Sequence, residues 1–285
     1  MLNNSKLNNR VLDNFMNVKL WFLLPAFLLL LLIYLYIVLF NNGANYTDAY
    51  VAIQKDLFLY LNNKLSEFPN LMFNLTQIGD VIVSFALVSA FIIYAPKLWE
   101  ALLTSAIISL IVSALLKKIF AVPRPAAMFD HDSFTIVGKA ISGRTSLPSG
   151  HSMVTFIVVT TLLIGFMPKQ IKHKIIWFCL LLSLGLIIAL SRVGVGAHYP
   201  LDVLIGSTIG FIIALLGIKI STTVNWFSWI KNKKLYPIYI LVLSIWGFFM
   251  VKKIVEMNLA IFYISLFTLV ITLYLMTTSY VKKNK

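Results

Sequence analysis

Apolar and polar residues along this chain separate into long blocks rather than alternating, and the blocks set the predicted elements. The run 20–40 is apolar from end to end, long enough as a helix to cross roughly 30 Å of hydrocarbon. Further apolar runs at about 81–94, 98–116, 149–167, 175–191, 201–218, 236–251 and 259–280 predict seven more spans. The second of them is short unless it borrows residues from position 75 onward. The fold class expected is therefore all-α, a polytopic transmembrane helical bundle.

The first run is longer than the apolar region of a signal peptide, and Asn41, Asn42 and Gly43 follow it instead of a small-residue cleavage site, so it is read as a retained span. Residues 41–79 form a polar connection in which Phe58, Leu59, Leu61 and Leu65 alternate with Asn62, Lys64 and Glu67. That pattern fits a short helix lying at the membrane interface, and an ordered loop equally well. The expected organisation is a polar N-terminal tail over 1–18, a six-span core over 19–220, and a two-span hairpin with a basic tail over 221–285.

Composition supports the membrane reading: of 285 residues 60% are hydrophobic and only 12% charged, with a mean hydropathy of +0.89, more apolar surface than a soluble core hides. The net charge of +14 would suit a nucleic-acid binder, but the basic residues sit in short clusters between apolar runs and no aromatic-interleaved basic face accompanies them. The partners expected are the bilayer and an anionic lipid, with no nucleic acid and no indicated protein partner. Cys179 is the single cysteine, so no disulfide forms within the chain.

Eight spans place both termini on one side. Of the 24 lysines and arginines, fourteen fall there by this topology; setting aside Lys117, Arg124 and Arg192 for chemistry leaves seven opposite them. The positive-inside rule then makes the termini cytoplasmic. The short connections point to a bacterial inner membrane, with the polar clusters on the periplasmic or extracellular side.

Those clusters fall in three places, motifs 117–125, 148–151 and 191–202. His198 and Asp202 lie four apart at the opening of the sixth span, on one helix face. A carboxylate on one imidazole nitrogen leaves the other a better nucleophile, although an isolated His–Asp pair can equally cap a helix. Ser149 is a candidate N-cap, and the free N–H groups that start near Gly150 suit phosphate oxygens. His151, in the first turn, stands where it could donate a proton to a leaving alkoxide. Lys117 and Arg124 are seven apart, with Pro123 bending the chain between them, and Arg192 follows the fifth span. Singly, such cations snorkel to headgroups; together with two imidazoles they meet the needs of a phosphoryl transition state. Lys139 and Arg144 lie in the connection 126–147, where Arg144 could contact a second phosphate or a headgroup, or both could simply face anionic lipid. His131 between Asp130 and Asp132 is read as a solvated loop rather than a metal site.

Lys117 with six residues to Arg124-Pro125, then Pro148-Ser149-Gly150-His151, then Ser191-Arg192 with five residues to His198 and three more to Asp202, resembles the three-part signature of the type 2 phosphatidic acid phosphatase family, which shares its site with vanadium haloperoxidases. The resemblance implies that His198 attacks phosphorus to form a phosphohistidine, oriented by Asp202. It implies that Lys117, Arg124, Arg192 and the backbone and hydroxyl around Ser149 and Gly150 hold the oxygens, and that His151 serves the leaving group and then water. It also implies metal-independent hydrolysis without a cofactor. The function expected is a lipid phosphatase acting on a phosphate monoester or diphosphate such as phosphatidate, phosphatidylglycerol phosphate, a polyprenyl diphosphate or lipid A. Phosphotransfer to a lipid acceptor through the same intermediate is the alternative, and a lipid transporter or binding protein is the rival from another class. The seventh and eighth spans are extra to the family core.

Overall fold

The computed structural model describes residues 2–39 and 45–281. The expected end of the first span at Phe40 and the basic tail Lys282, Lys283 and Lys285 lie outside the described residues. In chain order the helices are α1 (Leu2–Met16), α2 (Leu24–Leu39), α3 (Tyr46–Ala52), α4 (Lys55–Leu65), α5 (Pro69–Ile78), α6 (Val81–Leu87), α7 (Phe91–Tyr94), α8 (Pro96–Phe120), α9 (Pro125–Met128), α10 (Gly150–Gly165), α11 (Ile171–Gly194), α12 (Pro200–Thr223), α13 (Tyr236–Met257) and α14 (Ala260–Val281). No strand occurs among the described residues, so the molecule is an all-α bundle.

Six stretches are long and apolar enough to cross a membrane: Leu20–Leu39, Pro96–Met128, Ile171–Gly194, Pro200–Thr223, Lys233–Met257 and Ala260–Val281. The other two expected spans take different forms. The second is broken: α5 and α6 meet at a bend of 79°, where Asp80 accepts from Ile82 N at 2.8 Å and starts a new helix. An N-cap within an apolar run ends one helix and begins another. The fourth, α10, has only 16 residues, and every position from Ser152 to Thr161 is buried. A helix enclosed by its neighbours packs against protein rather than lipid, and its length need not match the bilayer.

Helices α8, α10, α11 and α12 form the centre. α10 and α12 touch backbone to backbone, because Gly206 and Gly210 face α10: a Cβ at Gly206 would stand 2.6 Å from Ser149 O, and one at Gly210 would collide with Met153 O. Small residues four apart let helices approach this closely. The close approach fixes the start of α10 against the first turns of α12, where Ser149 N donates to Asp202 O at 3.1 Å.

Within the N-terminal stretch, Leu2–Met16 form the helix α1, packed on the bundle. Val11, Phe15 and Val18 are buried with Leu98, Leu102, Ile157 and Leu215, while Arg10 donates to Phe166 O and Met167 O and Asn14 donates to Gly165 O at 3.0 Å. These bonds satisfy carbonyls left open at the C-terminal end of α10. The connection after the first span is likewise helical over α3, α4 and α5. Phe58 and Asn62 are fully buried, and the Asn62 amide bonds Thr135 and Val193 at once. One side chain thereby ties α4 to the 130s loop and to the end of α11.

Candidate active site

The three clusters, spread over 117–202, meet at one end of the central helices. His198 sits in the turn between α11 and α12, 1% exposed. Its Nδ1 lies 3.3 Å from Asp202 Oδ2, and its Nε2 lies 3.2 Å from Arg124 Nη1. An Asp on Nδ1 and a permanent donor facing Nε2 describe the tautomer protonated at Nδ1, with the Nε2 lone pair turned toward Arg124. Burial, then Arg124, Arg192 and Lys117 in that order, holds its pKa well below the usual histidine value, so the imidazole is neutral at pH 7.

Asp202 is fully buried and saturated with donors. Tyr50 gives its hydroxyl proton to Oδ1 at 2.8 Å, while Ser146 Oγ and Tyr199 N both donate to Oδ2. A buried carboxylate persists as an anion only when so bonded. Behind it Phe58, Phe129, Phe134 and Tyr199 pack edge to face, with ring centres 5.3 to 6.4 Å apart, and close the site from that side.

Arg124 is held by the chain that follows it. α8 ends at Ala121 in a left-handed turn, and Arg124 N donates to Gly143 O while its guanidinium bonds Thr145 and Ala197 O. Gly196, at φ +72, allows the 195–198 turn to approach the 130s loop, since a Cβ there would stand 2.6 Å from Thr135 O. Lys117, one turn before the end of α8, reaches over the start of α10: its Nζ is 3.7 Å from where a Gly150 Cβ would be.

Ser149 caps α10: its hydroxyl oxygen accepts from Ser152 N and from Ser152 Oγ at 2.8 Å, and its N–H is engaged by Asp202 O. The Ser149 hydroxyl keeps its own proton to donate, and beside it the first-turn N–H groups of Gly150 and His151 are further donors that α10 can offer. Arg192 is 6% exposed; its Nη1 donates to Thr76 Oγ1, and its Nε has no partner within the protein. Arg144 stands apart, exposed, with its Nε on Ala121 O at 3.2 Å. His131 bonds Ala126 O within its own loop.

His151 lies where two cavities meet. One, of about 410 Å³, is lined by Arg192, Thr76, Gln77, Lys139 and Gly196. The other, of about 670 Å³, is an apolar groove running from Gly150 and His151 between α8, α10 and the α5–α6 bend, past Leu110, Leu103 and Phe85. From Ser113 to Leu103 it follows α8 for about 15 Å. Tyr50, Thr76, Thr145 and Ser146 belong to the site as well, and the sequence motifs do not include them.

Residues 97–226 match the PAP2 superfamily. An undecaprenyl-diphosphatase of Sulfolobus acidocaldarius is 27% identical over 206 residues, covering 71% of this chain and 91% of that protein. The crystal structure of Aquifex aeolicus LpxE aligns at 25% identity with a TM-score of 0.48, over 59% of this chain and 95% of its own. The stretch matched to the superfamily, 97–226, holds all three clusters, from Lys117 to Asp202.

Proposed function

We propose that this protein is a lipid phosphatase that removes the terminal phosphate of a membrane monoester or diphosphate at the extracytoplasmic face. The observation that carries the reading is the buried Asp202–His198–Arg124 line together with an apolar groove that begins at Gly150 and His151. A lipid phosphate needs both parts at once: a cationic seat for the head and a dry channel for the tail. The match of residues 97–226 to the superfamily and the relative named for diphosphate hydrolysis support the same class, the latter favouring a long-tailed isoprenoid diphosphate.

In this reading Lys117, Arg124, Arg192 and the N–H groups of Gly150 and His151 surround the three equatorial oxygens, where preorganised donors act most strongly. His198 Nε2 attacks phosphorus as the P–O bond to the lipid breaks. His151 in its protonated form gives the leaving oxygen a proton; it then takes one from water, which attacks the phosphohistidine, releases phosphate and restores His198. The residues over 19–220 would form the working core and α13–α14 an addition to it. The excess of lysine and arginine on the opposite side supports cytoplasmic termini.

The test is phosphate release by detergent-purified protein from a panel of lipid phosphates, with His198→Ala as the control. Release from the intact protein and a fall of at least roughly a thousandfold in the variant support the reading. Release that survives in the variant, or transfer of labelled phosphate to a lipid acceptor with none appearing free, overturns it.

A further inference from the structure

Helices α13 and α14 lie outside the matched residues 97–226, yet their contacts concentrate on one element, the broken second span. We infer that this hairpin completes the lipid site: it holds the bent wall of the tail groove, and Lys253 is the positioning residue that ties the bend. The inference rests on the phosphatase reading.

α6 has two working faces. Val81, Ile82 and Phe85 line the groove, whereas Val83 and Ala86 are buried against Leu243, Met250, Phe262 and Leu269 of the hairpin. Polar ties repeat along the seam. Asn74 Oδ1 accepts from Ile261 N at 3.1 Å, Trp246 Nε1 donates to Ile82 O at 3.1 Å, Thr268 Oγ1 donates to Ala86 O at 2.9 Å, and Ser89 meets Thr272 at 2.7 Å. They lie before, beside and beyond the bend. A carbonyl or hydroxyl in an apolar bundle needs such a partner, so α5 and α6 depend on the hairpin for their course.

At the bend itself Asp80 does two things. Its Oδ1 caps α6, and its Oδ2 pairs with Lys253 Nζ at 3.2 Å; Lys253 also lies 5.4 Å from the centre of the Phe262 ring. Asp80 and Gly79 both line the groove, and Gly79 is packed so tightly on His151 that a Cβ would stand 2.8 Å from His151 Cβ. The position of the bend is therefore the position of the wall beside His151. A substrate with a long apolar tail uses this wall along its whole length; a phosphate ester without a tail does not.

The experiment compares Lys253→Met and Lys253→Arg with the intact protein on two substrates, phosphatidate bearing full-length acyl chains and phenyl phosphate. Lys253→Met is expected to lower kcat/KM for phosphatidate by roughly tenfold and to leave phenyl phosphate within about twofold, with Lys253→Arg close to the intact protein. In parallel, a phosphatidate analogue with a photoreactive tail should label peptides carrying Ile82, Phe85, Leu103 and Ile107, and do so less in Lys253→Met. Equal losses on both substrates would assign Lys253 to stability alone and overturn the inference, as would unchanged phosphatidate turnover. Labelling outside the groove overturns it independently of turnover. If intact protein releases phosphate from no member of the lipid phosphate panel, the phosphatase reading fails, and labelling by itself still decides whether the hairpin shapes a lipid groove.

Discussion

In the proposed mechanism His198 attacks phosphorus only while one ring nitrogen is unprotonated, and the groups around it keep it so. Three cations and complete burial place its folded-state pKa below the ordinary value of 6.5. Between those two values the unfolded chain binds the proton and the folded one does not. Stability therefore rises with pH through that window, and this residue's share is lost as pH falls below about 6.5. The same sign governs catalysis: the acid limb of kcat/KM that belongs to His198 should be centred below pH 6.5. A pH–rate profile checks this, and a limb centred at 7 or above would contradict it. His198, Asp202 and Arg124 were legible in the sequence because each stands in a short motif. Tyr50 was not: it bonds Asp202 across 152 positions, from a connection whose apolar residues gave no clue to its partner. Thr76, which steadies Arg192, is hidden for the same reason.

At the scale of elements, long apolar blocks made most helices readable, since burial in lipid needs only composition and length. What they concealed was local. The break at Gly79–Asp80 carries an N-cap residue, the usual start signal, but it sits at the edge of an apolar run that looks continuous. The N-terminal helix shows Val11, Phe15 and Val18 at helical spacing within a polar stretch, a pattern that composition averages away. Close packing of α10 on α12 has a sharper consequence. Gly210→Ala must push Met153 and the cap at Ser149 away from Asp202, and overpacking of this kind costs about 1–3 kcal/mol. Both the melting temperature in detergent and phosphate release should fall. Gly247→Ala, where the nearest atom would be Leu266 Cδ1 at 3.7 Å, should change neither. Equal behaviour of the two variants would remove the packing argument.

The whole molecule has two ends of different character. At the end opposite the site, Glu100 is 1% exposed and receives Lys97, 4% exposed, together with Lys231 at 3.1 Å. Lys97 N also donates to Asn8 at 2.9 Å. The Glu100 carboxylate thus joins α8 to the segment that leads into the hairpin, and the Lys97 N–H joins α8 to α1. Glu100→Gln leaves a buried ammonium uncompensated and should lower stability by about 3 kcal/mol. Because the site lies at the far end, kcat at a temperature where the variant stays folded should hold, a separation that thermal unfolding and turnover measured side by side would reveal.

The placement of His151 between two unlike cavities has a consequence for direction. On the proposed reading the alcohol or lipid monophosphate would leave along the apolar groove and stay dissolved in hydrocarbon, whereas inorganic phosphate would depart through the cavity lined by Lys139 and Gly196. Once apart, the products occupy different phases, and the reverse reaction would require both to return to the same imidazole together. The fold sorts its products as it makes them, and dilution into two solvents draws the hydrolysis forward.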